Sequence, residues 1–273
     1  MQLNDVNFLR WFDALADPNL PTPPHAYWRN RYACDMRPIG LPGESQSFYI
    51  NTANGLLPPN GFESLRLNMV DDYSNLIASD IGVLQQHFIP DSSEGRYNIY
   101  CEYVIPFVSQ GTKRLQIYDT VANQELYTST PINIRHDQQR LYETTSFVRF
   151  RHDRFFYNIR YHDIPTFTQQ FRLGLSVIEA QVEGENKVYK NAINGRARLL
   201  ESVEDKVVRF ETYYFDEAAH DACAIMIKHS FLEINNRLFQ FKSGYKRTPN
   251  ALNKLSKGEF EVYDQSFASI NRC

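Results

Sequence analysis

Between Tyr97 and Phe107 every second residue is apolar or aromatic: Tyr97, Ile99, Cys101, Tyr103, Ile105 and Phe107 share one side of an extended chain. A helix would scatter these side chains around its circumference, whereas a strand sends successive residues to opposite faces. The stretch therefore reads as a half-buried strand, and its apolar face has to be covered by another layer. Shorter versions of the pattern recur. Leu65, Leu67 and Met69 alternate, as do Phe171, Leu173, Leu175 and Val177, and a further run spans Val208 to Phe215. Between such runs lie Asn54-Gly55, Asn60-Gly61 and Asn235-Asn236, pairs that accept the positive φ of tight turns. The 19 Phe and 17 Tyr favour pleated, half-buried surfaces as well. A mainly β protein is predicted.

The spacing of strands and turns predicts two tandem β-sandwich-like domains behind an N-terminal arm. Residues 1–43 form the arm, 44–140 the first domain and 141–273 the second, with the boundary at the polar run Asp137-Gln138-Gln139-Arg140. Within the second domain the period changes near residues 216–229. Glu217 to Ile227 reads as a short helix, and the Asp216 carboxylate can accept from the free N–H groups of its first turn.

In the arm, an amphipathic helix is predicted over residues 4–16, with Phe8, Trp11, Phe12 and Leu15 on one side. Pro18 to Pro24 then favours extended chain. So short a helix is marginal alone in water, so its Phe/Trp face needs a surface to cover it. That surface is either the chain's own domain or a neighbouring subunit. The cluster Tyr27, Trp28, Arg29, Arg31 and Tyr32 that follows has the residue types that dominate interface energetics, and it equally suits the edge of its own sheet. Together these nine residues are the candidate subunit-docking set.

Chemical motifs are sparse. GxSxG, P-loop, GxGxxG and HExxH patterns are absent, so no enzyme activity and no catalytic residues are expected. His220 and Cys223 share a helix face with His229 beyond, but a zinc site needs more ligands than these supply, and no metal or cofactor is expected. Glu201, Glu204 and Asp205 match a glycosidase pair in composition alone. Arg149, Arg151, His152 and Arg154 alternate with Phe150, Phe155 and Phe156, a pattern shared by single-strand binders and by ordinary strands with a core face. A net charge of −3 gives no basic excess to hold a polyphosphate, so nucleic-acid contact is not expected. No run approaches the ~18 unbroken apolar residues of a membrane helix. Four cysteines without CxxC spacing, and a first segment unlike an export signal, predict free thiols in a reducing cytoplasm.

In its second half the chain resembles virion structural proteins of tailed phages of Bacteroidetes, including the crAss-like group. The resemblance lies in Val148-Arg149-Phe150-Arg151-His152, in Phe167-Thr168-Gln169-Gln170-Phe171-Arg172 and in Val188 to Gly195. It continues through Val208 to Tyr214, the helix bearing His220, and the closing Asn271-Arg272-Cys273. It implies a β-rich tail or neck component, assembled in the host cytoplasm and located in the virion. Its partners would be copies of itself in a ring and other virion proteins. The residues themselves leave a second class open, a carbohydrate- or receptor-binding β-sandwich of the adhesin kind.

Overall fold

The computed structural model describes residues 2–3, 8–9, 11–13, 38–51, 61–88, 97–157, 159–190, 197–215, 217–249 and 256–267. The fold is mainly β. The first strands are β1 (Gln2–Leu3), β2 (Trp11–Asp13), β3 (Ile39–Gly40), β4 (Ser45–Asn51), β5 (Leu65–Val70), β6 (Leu76–Ala78) and β7 (Gln85–Phe88). After them come β8 (Tyr97–Val104), β9 (Gly111–Asp119), β10 (Gln124–Ser129), β11 (Ile132–Ile134) and a short helix α1 (Gln138–Thr144). The chain continues through β12 (Ser146–Arg151), β13 (Phe155–Phe156), β14 (Ile159–Arg160), β15 (Gln169–Leu173), β16 (Leu175–Lys190) and β17 (Ala197–Thr212). Last are α2 (Glu217–Met226), β18 (Phe231–Ile234), β19 (Arg237–Phe241), β20 (Lys246–Pro249) and β21 (Ser256–Asp264).

Among the described residues, 16 strands join in one sheet whose main path runs β1-β2-β10-β9-β11-β3-β15-β12-β18-β19-β21-β17-β16. Strands β4, β8 and β7 form a second, three-stranded sheet. The alternation that opened the sequence reading explains how the layers meet. Ile99, Cys101 and Tyr103 of β8 turn inward beside Phe48 and Ile50 of β4, in one cluster with Leu67 and Met69 of β5 and Leu115 and Ile117 of β9. Trp11 closes the contact between sheets, its ring 4.5 Å from that of Phe48. The other face of β4 is covered too, because Tyr49 packs with Ile159, Tyr161, Ile164 and Phe167. The main cluster runs on through Phe150, Phe171, Phe210 and Phe260 to Cys223, Met226 and Ile227 on and just after α2.

The N-terminal segment departs from expectation. In place of a helix over residues 4–16, Trp11–Asp13 is a strand paired with β10, Trp11 opposite Ser129, and Gln2–Leu3 pairs with it in turn. The Phe/Trp spacing suits either element. The open edge of β10 decides it, supplying backbone partners to a segment whose aromatics pack well on a sheet. The predicted α2 is present over Glu217–Met226, while its expected cap Asp216 lies outside the described residues. Asn235 and Asn236 make the β18–β19 turn with φ of 51° and 63°, as their types require.

The two halves of the large sheet meet at a narrow joint. Strand β3 runs parallel to β11 and touches β15 at one register position, Arg172 opposite Ile39. Arg172 is buried there. Its Nη2 donates to Glu44 Oε1 at 2.6 Å, its Nε reaches both Glu44 oxygens at 3.0 and 3.1 Å, and its Nη1 donates to Thr145 Oγ1 at 3.1 Å. The Tyr142 ring covers the guanidinium at 5.0 Å. Burial pushes the Glu44 pKa up, although the Arg172 hydrogen bond and charge pull the other way. Beside the pair, Gln46 Nε2 donates to Ile39 O at 2.6 Å, and Ser47 Oγ accepts from Gln170 N while donating to Thr168 O, both at 2.9 Å.

Removing one partner of a buried ion pair leaves the other uncompensated. Arg172→Ala should therefore lower stability to urea by about 3–5 kcal/mol, and pairing Arg172→Met with Glu44→Gln should recover much of the loss. A loss below about 1 kcal/mol would show that the joint does not depend on this pair. Trp11→Ala, which opens a cavity between the sheets, should cost about 3–5 kcal/mol in the same titration.

Candidate functional site: a projecting two-stranded arm

Three hydrogen-bonded imidazole clusters bring together groups with catalytic potential, and in each the imidazole is buried. His87 (5% exposed) lies between Tyr49 OH at 3.0 Å and Asp163 Oδ2 at 3.3 Å. The Tyr49 hydroxyl also accepts from Asn98 Nδ2 at 2.7 Å. Burial works against the Asp163 carboxylate, but the His87 hydrogen bond and the Arg160 and His162 charges hold its pKa below the ordinary range. This hydroxyl–imidazole–carboxylate order resembles a nucleophile relay, yet Tyr49 is fully buried and its hydroxyl is engaged.

His220 (3% exposed) reaches Ser256 O at 2.9 Å and Ser256 Oγ at 2.8 Å through Nε2, and Tyr245 OH through Nδ1. A carbonyl can only accept, so Nε2 carries the hydrogen and Nδ1 accepts from the phenol. Gly258 makes room for this arrangement, since a Cβ there would sit 1.8 Å from Tyr245 Oη. Cys223, one turn along α2, is buried and burial raises its pKa. The thiol is therefore held protonated, as a core group rather than a nucleophile or ligand.

His229 completes the set. Its Nδ1 donates to Ile225 O at 3.0 Å and Met226 O at 3.1 Å, and its Nε2 accepts from Tyr161 OH at 3.1 Å. Phe150 and Phe156 pack edge-on against the ring. Among the described residues no three His, Cys, Asp or Glu side chains converge to hold a metal ion, and no helix is long and apolar enough to cross a membrane. These clusters brace the core.

The feature left for contact with other molecules is the β16–β17 hairpin. The strands pair antiparallel from Leu175 opposite Thr212 to Lys190 opposite Ala197. Strand β21 borders β17 only from Val207 to Glu211. Beyond that point, residues 182–190 and 197–206 have only each other as strand partners among the described residues. At roughly 3.4 Å per residue, the nine residues of β16 in the projecting part span about 31 Å. Among the described residues strand β16 ends the sheet, so every second residue turns its N–H and C=O outward along that edge. Val177, Ile178 and Val182 are exposed on it.

The root of the arm is built with care. Gly174 breaks β15 from β16, where a Cβ would meet the Tyr213 ring at 2.7 Å. A register shift between Val177 and Glu179 leaves Ile178 as the extra residue, the kind of bulge that twists a strand away from its sheet. Lys242, just past β19, donates to both Glu183 oxygens at 2.6 and 2.7 Å and ties the arm to the body.

Of the nine expected docking residues, Phe8 and Trp11 are buried in this chain's own core, which is the own-domain alternative. Phe12 has its backbone in β2, and Leu15, Tyr27, Trp28, Arg29, Arg31 and Tyr32 lie outside the described residues. In the sequence this hairpin is signalled only by Asn194-Gly195, a turn-type pair ahead of the run from Val208. Glu204 and Asp205 lie on β17 as neighbours, so their side chains leave opposite faces of the ribbon rather than forming a carboxylate pair. In comparisons with known proteins, no family model and no curated protein matches the chain.

Burial pulls the His229 pKa from the ordinary 6.5 to about 4, against its contacts with two carbonyls. The unfolded chain takes up this proton below about pH 6.5 and the folded chain only near 4. Stability from this group is thus complete above that window and lost as the pH falls through it, on the order of 3 kcal/mol in all. His229→Gln should flatten the dependence of urea unfolding on pH between about 7 and 4; slopes identical to those of the unaltered chain would contradict the assignment.

Proposed function

We propose that the chain is a structural component of a tailed-phage virion, a tail or neck ring or hub protein that acts by subunit–subunit assembly. The observation that carries this reading is the arm. A two-stranded ribbon is marginal on its own in water, and an open edge of this length is a template for another chain. The buried imidazoles of His87, His220 and His229 brace the core, and a rigid body suits a part that works by shape. The resemblance of the second half to phage virion proteins supports the same reading. Copies of the chain and other virion proteins are its partners, and the virion is its location.

Native mass spectrometry of the purified chain over a range of concentrations tests this. A discrete multi-copy species is expected. A single-copy mass throughout, together with saturable binding to one glycan class on an array, would overturn the reading in favour of an adhesin.

A further inference from the structure

The arm is segregated by charge along its length. The outer ends of its strands, residues 187–190 and 197–198, contain Lys187, Lys190 and Arg198 and no carboxylate. Its inner part, residues 179–185 and 201–206, contains Glu179, Glu183, Glu185, Glu201, Glu204 and Asp205 against Lys206 alone. One inner carboxylate is already engaged, Glu183 with Lys242, and Lys187 stands opposite Glu201 within the hairpin. The remainder leaves each arm with a basic end and an acidic root. Such a pattern is complementary to itself when reversed.

We propose that the outer edge of β16 is the docking surface for the same edge of a second copy, the two arms lying antiparallel so that each basic end covers the other's acidic root. This pairing presupposes that copies of the chain assemble. The register fits. With Asn186 opposite its own counterpart, Glu185 faces Lys187 of the second copy twice over, Glu183 faces Tyr189, Val182 faces Lys190, and no like charges oppose. The outer half of β17 offers no such match. Centring on Glu201 sets that carboxylate against itself, and the extra residue Leu200 breaks the register of β17 next to it. Gly184, inside the strand, sits where two backbones approach, as strand glycines often do. Exposed Val177, Ile178 and Val182 lie along the same strand.

Two charge-reversed full-length chains test the pairing by analytical ultracentrifugation. One carries Lys187→Glu and Lys190→Glu, the other Glu179→Lys and Glu185→Lys. Each alone should self-associate at least about tenfold more weakly than the unaltered chain, and an equal mixture should associate to within about threefold of it. Raising salt from about 0.05 to about 0.5 M should weaken the unaltered contact. Amide exchange along residues 176–190 of the unaltered chain, which needs no variant, should slow as concentration rises. Undiminished association of both variants, a mixture no better than its parts, or exchange independent of concentration would overturn arm pairing while leaving the assembly reading in place. A chain monomeric at every concentration would overturn both.

Discussion

The fork of hydrogen bonds between Arg172 and Glu44 is the constraint through which the large sheet is continuous. Strand β3 is two residues long, and its link to β15 is one register position wide. At that position the guanidinium joins strand β15 to Glu44 and to Thr145, which precedes β12. A buried ion pair contributes little net stability compared with well-packed apolar groups, because desolvating both charges offsets their attraction. Its value is geometric. A planar guanidinium meets a carboxylate in one orientation, so the pair fixes how the two sets of strands approach, and the surrounding amides and hydroxyls keep each polar group satisfied.

Given that joint, the aromatic core can run unbroken from Trp11 and Phe48 to Phe210 and Phe260. The buried imidazoles extend the logic to the periphery. His87 ties β7 to the loop bearing Asp163, His229 ties the end of α2 to Tyr161, and His220 ties α2 to β21. Strand β17 lies against β21 and so inherits this bracing at its root. A hairpin that projects about 31 Å would fray from a soft base. On a braced one it can present an open edge in a fixed direction.

What could be read from the sequence follows from burial. Alternation located β8 because one face of that strand meets the core throughout, while the other opens to solvent at Glu102 and Val104. The Asn235-Asn236 turn was legible because its φ values leave few residue types. Strand β15 was harder: Gln169, Gln170 and Arg172 look like a solvent face, yet all three are buried because β4 and its neighbours cover them. No local pattern records a layer that arrives from 123 residues away. The arm escaped for the opposite reason. With no core face, its residues are under no pressure to alternate, so Glu183, Gly184 and Glu185 follow one another without a strand signature. At the N-terminus, aromatics at helical spacing were claimed by the edge of β10.

If the Arg172 joint and the shared core bind both halves into one body, they should open together. Native-state hydrogen exchange tests this by comparing the slowest amides of β9, before the joint, with those of β21, after it. Equal opening free energies, shifting in step with added denaturant, are the predicted result. A β9 set that opens at a distinctly lower free energy while β21 stays protected would contradict the account.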